Sequence, residues 1–184
     1  MRACFMGLGY IGLPTAIIAA KHGIDVIGVD INKEVVETTN EGRLHIIEPG
    51  LESLLKDVVT NSKLKAYTEP QICDAYFIVV PTPFKGDHEP DISYVEAATR
   101  MVIPLLKPND LFVIESTSPI GTTEKMMNLI YETRPELKGL IYIAYCPERV
   151  LPGNVIYELE NNDRVIGGIN EASTEKAKEF YRIF

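Results

Sequence analysis

Several features that mark specialised proteins are missing from this sequence of 184 residues. It has no run of eighteen apolar residues, and no leader resembling a secretion signal precedes its first apolar segment. It carries a net charge of −8 at pH 7 and has no cluster of basic residues, so nucleic acid and anionic membranes are not expected partners. We therefore expect a cytoplasmic protein that binds neither nucleic acid nor a membrane.

Cysteine is also scarce. Cys4, Cys73 and Cys146 are an odd number, and no two of them stand at a spacing typical of metal ligands. A disulfide framework and a zinc site are therefore not expected. The charged cluster at residues 87–91 could be read as a set of metal ligands, but it lacks ordered spacing, and such loop charges are usually solvated. We predict no metal site.

The composition, 46% hydrophobic and 24% charged, is that of an ordinary globular protein. Apolar runs typical of buried strands alternate along the chain with apolar residues at helical spacing. Strands are predicted at residues 2–6, 25–29, 64–67, 75–80, 111–114, 141–144 and 164–166, and helices at residues 13–22, 33–40, 51–60, 94–106, 124–133 and 173–184. This alternation predicts an α/β fold of the Rossmann type, a doubly wound and mainly parallel sheet with helices on both faces.

A glycine-rich motif, Gly-Leu-Gly-Tyr-Ile-Gly, occupies residues 7–12, between the first predicted strand and the first predicted helix. In such a turn, Gly7 permits the tight bend, Gly9 lets the backbone approach a pyrophosphate, and Gly12 allows close packing of helix and strand. The phosphates would face the helix N-terminus, where free N–H groups and the helix dipole favour an anion. Pro14 fits this interpretation, because a first helical turn tolerates proline.

Asp30 follows the second predicted strand. An acid at this position accepts hydrogen bonds from the adenosine ribose in dinucleotide-binding folds, although Asp30 could instead cap the helix that begins near Asn32. The complete order of strand, glycines, helix, strand and acid favours dinucleotide binding. The charge of Asp30 would repel a 2′-phosphate, so NAD is predicted over NADP, and only Lys33 nearby argues the other way.

Three further loops are predicted at the carboxyl ends of strands. Residues 81–91 are rich in proline, glycine and charge, residues 115–123 carry several hydroxyl side chains, and residues 146–153 place an acid beside an arginine. Ligands of doubly wound sheets bind outside the carboxyl ends of the strands. We therefore expect these loops to meet the glycine-rich motif at one crevice.

Four motifs stand in these loops: Gly-Leu-Gly-Tyr-Ile-Gly-Leu-Pro at residues 7–14, Val-Pro-Thr-Pro at 80–83, Glu-Ser-Thr-Ser-Pro-Ile-Gly-Thr at 115–122, and Cys-Pro-Glu-Arg at 146–149. Together they resemble the nucleotide-sugar 6-dehydrogenases, and the resemblance extends over the whole chain. Residues 147–154 and 83–91 look most like the members that act on UDP-N-acetyl-D-mannosamine. At the first of these segments, members acting on UDP-glucose tend to have Pro-Glu-Phe-Leu, and those acting on UDP-N-acetylglucosamine have Pro-Glu-Arg-Glu-Asp.

The resemblance implies a four-electron oxidation, in which a C6 alcohol becomes an aldehyde and then a carboxylate while two NAD are consumed. In the family the second half passes through a cysteine thiohemiacetal and a thioester, which water hydrolyses. That cysteine and a catalytic lysine lie beyond the family's first domain, so Cys146 is not assigned as the nucleophile. Residues 1–184 are predicted to be the N-terminal NAD-binding Rossmann domain, without the family's central helix and C-terminal UDP-binding domain.

The same motifs carry the family's functional residues onto this sequence. Glu148 matches the acid that serves as, or positions, the base for thioester hydrolysis, and Thr117 matches the hydroxyl that holds the water or alkoxide. Arg149 and Val150 would contact the sugar nucleotide. The residues that would bind NAD are Gly7, Gly9, Tyr10, Ile11, Gly12, Asp30, Thr82 and Thr123.

Simpler roles remain open for several of these side chains. Glu148 could be a surface carboxylate paired with Arg149 or Arg164. Thr117 and Thr123 could be helix caps, because Thr-x-x-Glu spacing is a capping pattern. The resemblance favours catalysis for Glu148, since a carboxylate in a closed cleft is the usual candidate for a general base.

The leading interpretation is NAD-dependent oxidation of UDP-N-acetyl-D-mannosamine at C6. This chain would be the cofactor-binding half, inactive alone, with a UDP-sugar as the enzyme's partner. The alternatives are a related substrate, UDP-glucose or UDP-N-acetylglucosamine, and a stand-alone NAD-binding module without catalysis. A glycine-rich cysteine motif encoded after Phe184 would support the enzyme, whereas a stop codon there would support the module. The resemblance also implies a homodimer for the full-length family.

Overall fold

A computed structural model describes residues 1–151 and 153–184. The strands are β1 (Arg2–Met6), β2 (Asp25–Val29), β3 (Leu64–Tyr67), β4 (Ala75–Ile78), β5 (Phe84–Lys85), β6 (Glu89–Pro90), β7 (Leu111–Ile114), β8 (Tyr142–Tyr145) and β9 (Gly167–Gly168). The helices are α1 (Gly12–Lys21), α2 (Lys33–Asn40), α3 (Leu51–Thr60), α4 (Ser93–Val102), α5 (Thr122–Thr133), α6 (Val155–Asn161) and α7 (Glu171–Tyr181), with short 3₁₀ helices at Ile103–Leu105 and Pro135–Leu137.

One seven-stranded sheet has the order β3-β2-β1-β4-β7-β8-β9. The first six strands in this order are parallel, and β9 pairs antiparallel with β8 at the edge. The order reverses between β1 and β4, and a crevice opens at the carboxyl ends of strands that flank such a reversal. The predicted doubly wound, mainly parallel sheet is confirmed.

The two faces of the sheet bury separate apolar cores. Ala3 and Phe5 of β1 pack with residues of α1, α3 and α7, whereas Cys4 and Met6 pack with residues of α4 and α5. This division follows from the alternation of side chains along a strand. Phe5 stacks on Phe77 with ring centroids 4.7 Å apart, and burial of each such ring stabilises the fold by about 1.5–3 kcal/mol. No helix within the described ranges is long and apolar enough to cross a membrane.

The chain departs from the predicted elements where the segments are short. Residues 81–91, predicted as a plain loop, contain the two-residue strands β5 and β6, which form an antiparallel hairpin. Helix α6 was not predicted at all. The last strand lies at Gly167–Gly168 rather than at residues 164–166. Strands of two residues are too short for periodicity to reveal them, and α6 is held by Glu48, which is distant in sequence.

The ends of some longer elements also differ from the prediction. Strand β4 ends at Ile78, two residues early. The helix predicted at residues 94–106 becomes a 3₁₀ turn at Ile103, because Pro104 cannot donate the backbone hydrogen bond of an α-helix. The last helix ends at Tyr181, where the N–H of Arg182 still bonds to the Lys178 carbonyl.

Candidate functional site

A cavity of about 310 Å³ opens at the carboxyl ends of β1, β4 and β7. The residues that line it come from the glycine-rich turn, the end of β2, the loops after β4 and β7, and the loop after β8. Eight of the predicted site residues are among them: Gly7, Gly9, Tyr10, Ile11, Asp30, Thr82, Thr117 and Glu148. The predicted convergence of four loops on one crevice is therefore present.

Each glycine of the turn has a distinct steric environment. Gly7 has a φ of +103°, and a Cβ there would lie 2.5 Å from the Val79 carbonyl oxygen. A Cβ on Gly12 would lie 2.0 Å from the Gly7 carbonyl oxygen. A Cβ on Gly9, in contrast, would meet no atom of the described residues within 4 Å. A side chain at Gly7 or Gly12 would thus clash with the backbone that packs against the turn, whereas the space beside Gly9 is open to a ligand.

The N-terminus of α1 is left free to receive an anion. In the described structure no side chain caps this helix, and its first turn contains no acidic residue. Leu13 N bonds to the Gly9 carbonyl oxygen and Pro14 has no N–H, so it is the helix dipole, with the N–H of Gly12, that favours a negatively charged group at this point. With the open space beside Gly9, this arrangement fits the pyrophosphate of a dinucleotide.

Asp30 has two structural contacts. Its Oδ2 accepts a hydrogen bond from Leu8 N at 3.0 Å, and its Oδ1 accepts one from Asn32 N at 2.9 Å. The side chain that caps α2 is Asn32, whose Oδ1 accepts from Glu34 N, so Asp30 is not the cap of this helix. A carboxylate has about four lone-pair sites, and Asp30 therefore keeps capacity to accept from ribose hydroxyls.

A second, more apolar cavity of about 320 Å³ adjoins Asp30 on the other side of the glycine-rich turn. It shares Gly7, Asp30, Val80 and Pro81 with the first cavity. Its remaining walls are apolar or aromatic except for backbone: Met6, Val29, Ile31, Tyr94, Ala97, Ala98 and Met101. A slot of this character suits a flat aromatic base next to a ribose held by Asp30, and the sequence patterns did not identify it.

The loops after β4 and β7 are tied together by hydroxyl groups. Thr82 Oγ1 donates to the Thr117 carbonyl oxygen at 2.7 Å. Ser116 Oγ donates to the Val80 carbonyl oxygen at the same distance. These bonds hold Thr82 and Thr117 on one wall of the cavity. Thr117 therefore does not cap α5, whose N-cap is Gly121 without a side-chain hydrogen bond.

The Glu148 side chain is almost wholly covered and does not pair with the side chain of Arg149, although its Oε1 accepts a hydrogen bond from Arg149 N at 2.8 Å. Its Oε2 lies 2.6 Å from Arg164 Nη1, and the two side chains are 7% and 12% exposed. Arg149 instead donates from Nη2 to the Asp163 carbonyl oxygen. The alternative that Glu148 lies on the surface is therefore wrong, although the pairing with Arg164 that it included is present.

Glu115 also lines the cavity, but the sequence motifs predicted no functional role for it. It follows β7, is 2% exposed, and accepts a hydrogen bond from the Tyr181 hydroxyl through Oε1. Burial raises the pKa of Glu115 to about 7, despite the opposing effects of Tyr181 and Arg164. Burial also raises the pKa of the nearby Cys146 thiol to about 12, which disfavours the thiolate that a nucleophile requires.

Glu48 joins the glycine-rich turn to the loop after β8. Its Oε2 accepts from Gly153 N and its Oε1 from Val155 N, both at 2.9 Å. The Tyr10 hydroxyl donates to the Ile47 carbonyl oxygen at 2.9 Å and lies 3.4 Å from Glu48 Oε2. The segment around Glu48 thus braces two walls of the cavity.

Four predicted site residues do not line the cavity. Gly12 supports the turn from behind, as its contact with Gly7 shows. Thr123 lines a different cavity, together with residues of β9. Arg149 is exposed, and Val150 packs beside Val155 and Leu159. Ligand contacts of these four residues stay predictions.

Comparison with known proteins connects this geometry to a family. Residues 1–184 match the pattern described as "UDP-glucose/GDP-mannose dehydrogenase family, NAD binding domain". The chain belongs to this family. NAD is accordingly the cofactor of the domain, and the open glycine-rich turn, the free N-terminus of α1 and Asp30 fit it.

Relatives of known name extend beyond this chain. The UDP-N-acetyl-D-mannosamine dehydrogenase of Escherichia coli (strain K12) is 52% identical over 97% of this chain and 44% of its own length. The NDP-N-acetyl-D-galactosaminuronic acid dehydrogenase of Ralstonia nicotianae is 49% identical over the same shares. A structure of the UDP-N-acetyl-mannosamine dehydrogenase of Staphylococcus aureus is 40% identical with a TM-score of 0.95, over all of this chain and 45% of its own. The chain spans less than half the length of these relatives.

Proposed function

We propose that residues 1–184 are the N-terminal, cofactor-binding domain of an NAD-dependent nucleotide-sugar 6-dehydrogenase. The proposed substrate is UDP-N-acetyl-D-mannosamine, oxidised at C6 to the uronic acid in a four-electron reaction that uses two NAD. The nucleophilic cysteine and the catalytic lysine would come from the part of the relatives that this chain does not match. A cytoplasmic location and a homodimer of the full-length protein stay predictions.

The cavity is the observation that carries this proposal. It places the glycine-rich turn and Asp30, which suit the adenosine and pyrophosphate, in one space with Thr117 and Glu148. Relatives near 50% identity that are named as dehydrogenases support the same function.

Different residues along the cavity would bind the cofactor and act on the substrate. Gly7, Gly9 and the N-terminus of α1 would hold the pyrophosphate, and Asp30 the adenosine ribose. When bound, NAD supplies the hydride acceptor. Glu148 would take a proton from the water that hydrolyses the thioester, and Thr117 would hold that water or the substrate alkoxide through its hydroxyl.

The substrate assignment is tested with the protein that carries this domain together with the family's cysteine. NADH formation is measured with UDP-N-acetyl-D-mannosamine, UDP-N-acetyl-D-galactosamine, UDP-N-acetylglucosamine and UDP-glucose. We expect the highest kcat/KM for the first and about two NADH for each sugar consumed. A preference for UDP-N-acetyl-D-galactosamine would overturn the proposed substrate and favour an activity like that of the relative at 49% identity, which is named an NDP-N-acetyl-D-galactosaminuronic acid dehydrogenase.

The isolated domain tests whether residues 1–184 carry the complete chemistry. Residues 1–184 alone should bind NAD but form no NADH from UDP-N-acetyl-D-mannosamine above background, because the nucleophile is supplied from elsewhere. Turnover by this segment comparable to that of the longer protein would show that Cys146 or another residue here is a competent nucleophile. A stop codon directly after Phe184, with no family cysteine encoded downstream, would favour the module.

A further inference from the structure

The Glu115 carboxyl group is incompletely satisfied in its buried position. Oε1 accepts from the Tyr181 hydroxyl, but Oε2 has no hydrogen-bond partner among the described residues. A buried acceptor without a partner is unfavourable, and a buried charge without one is more so. The geometry therefore favours a neutral, protonated carboxyl in the ligand-free domain.

No cation among residues 1–151 and 153–184 is free to pair with Glu115. Arg164 is committed to Glu148 at 2.6 Å, and its guanidinium carbon lies 4.8 Å from the centre of the Tyr181 ring. Burial raises the pKa of both Tyr181 and Cys146 above the ordinary values, so these two groups stay neutral near pH 7. Among the described residues, the charged or titratable groups that interact electrostatically with Glu115 are Arg164, Glu148, Tyr181 and Cys146.

Glu115 lies towards the reactive end of the cofactor site. Asp30 marks the adenosine end, and a dinucleotide extends from it across the crevice between the two halves of the sheet. Its nicotinamide would then lie towards the loops after β7 and β8, where Glu115, Thr117 and Glu148 line the cavity. The oxidised nicotinamide ring is positively charged, whereas the reduced ring is neutral.

We propose that Glu115 is a cofactor-sensing residue, which releases its proton to solvent when the oxidised cofactor binds and retains it with the reduced cofactor. The inference rests on the cofactor placement proposed above. A positive charge within about 4–6 Å favours the carboxylate of a neighbouring acid. The pKa of Glu115, raised to about 7 in the free domain, would fall when the oxidised ring is near. After hydride transfer, Glu115 takes a proton back from solvent, and its charge no longer retains the product cofactor.

Isothermal titration calorimetry of residues 1–184 tests this proposal without turnover. NAD⁺ and NADH are each titrated at pH 6.5 and pH 9, in buffers of different ionisation enthalpy, and the dependence of the heat on the buffer counts protons. We expect release of about half a proton or more for each NAD⁺ at pH 6.5 relative to NADH, and almost none at pH 9. The NAD⁺ affinity should rise about five- to tenfold from pH 6 to pH 8.

The NADH titration removes contributions common to both cofactors. His45, whose Nε2 lies 2.8 Å from the Leu8 carbonyl oxygen, would face the same phosphates in either complex. Glu115→Gln should abolish the NAD⁺-specific proton release while NADH still binds. Cys146→Ser should retain the release, because the thiol is neutral in both states.

Three outcomes separate the possible errors. Binding of NAD⁺ with the same proton count as NADH would overturn the role of Glu115 and leave the proposed function intact. Release that persists in Glu115→Gln, or disappears in Cys146→Ser, would also overturn it. Failure to bind either cofactor would overturn the proposed function itself. If Glu115→Gln does not fold, infrared difference spectra of the unmodified chain decide the question: NAD⁺, but not NADH, should convert a protonated carboxyl band to a carboxylate band.

Discussion

Glu148 and Arg164 form a buried ion pair, with Oε2 and Nη1 only 2.6 Å apart. The pair joins a predicted catalytic acid to a residue sixteen positions later, between α6 and β9. Because both side chains are almost wholly covered, solvent screens the attraction between the two charges only weakly. The pair therefore fixes the carboxylate at the cavity wall.

Removing one partner of this pair should destabilise the domain strongly. Arg164→Met leaves Glu148 buried without its cation, and we expect a loss of about 3–5 kcal/mol in the free energy of unfolding. Urea denaturation measures the loss. Lys178→Met, which breaks the exposed pair with Glu175, is the matched control and should cost less than about 1 kcal/mol. Equal effects of the two variants would show that the buried pair contributes no more to the free energy of unfolding than an exposed pair does.

The role of Glu148 can be tested in the protein that carries the family's cysteine. Glu148→Gln also removes the ion pair with Arg164, so folding of the variant is checked first by thermal unfolding. In the folded variant, NAD binding and the first hydride transfer should be largely intact, because neither step needs this base. Thioester hydrolysis should slow by about a hundredfold or more, so a covalent acyl-enzyme should accumulate. Intact-protein mass spectrometry after mixing with substrate and NAD detects this adduct. Loss of NAD binding, or normal turnover without an adduct, would make Glu148 structural.

The glycines of the turn offer a matched pair of alanine substitutions. Gly12→Ala places a Cβ against the Gly7 carbonyl and should destabilise the fold, whereas Gly9→Ala points into open space. We expect Gly9→Ala to retain the thermal midpoint but to weaken NAD binding, because its methyl group occupies the space for the pyrophosphate. Differential scanning calorimetry and an NAD titration measure the two effects. A folded Gly9→Ala variant with unchanged affinity would contradict this placement.

Glu115 should also make stability depend on pH. Its pKa rises from 4.5 to about 7 on folding, so between these values the folded chain binds more protons than the unfolded chain. Stability from this group therefore falls as pH rises through the window, by about 3 kcal/mol at most. Glu115→Gln should flatten the profile between pH 5 and pH 7 in urea titrations. A profile in the variant that falls as steeply as in the unmodified chain would assign the effect to other groups.

The parts of the fold and of the site that could be predicted are those that local sequence patterns specify. The glycine-rich turn requires particular backbone geometry, and the buried strands read as apolar runs, so residues 7–12, Asp30 and the sheet could be placed from sequence. Thr82, Thr117 and Glu148 were located by motifs and do line the cavity.

Other features depend on contacts that no local pattern contains. The hydrogen-bond partner of Glu115 is Tyr181, 66 residues away, which no local pattern shows. Only the hydroxyl residues that follow Glu115 in its motif were assigned roles. Glu148 pairs with the side chain of Arg164 rather than that of Arg149 because of the path that the loop after β8 takes. Helix α6 is anchored by Glu48, 107 residues before Val155, and so was not predicted.

The most direct test of the cofactor site is a comparison of NAD and NADP binding to residues 1–184. Asp30 occupies the end of β2 and braces the glycine-rich turn through Leu8 N, where its charge would repel a 2′-phosphate. Titration calorimetry under identical conditions should show clearly tighter binding of NAD, and Asp30→Asn should narrow the difference. Equal or tighter binding of NADP by the unmodified chain would contradict the assignment of Asp30 and with it the placement of the cofactor along the cavity.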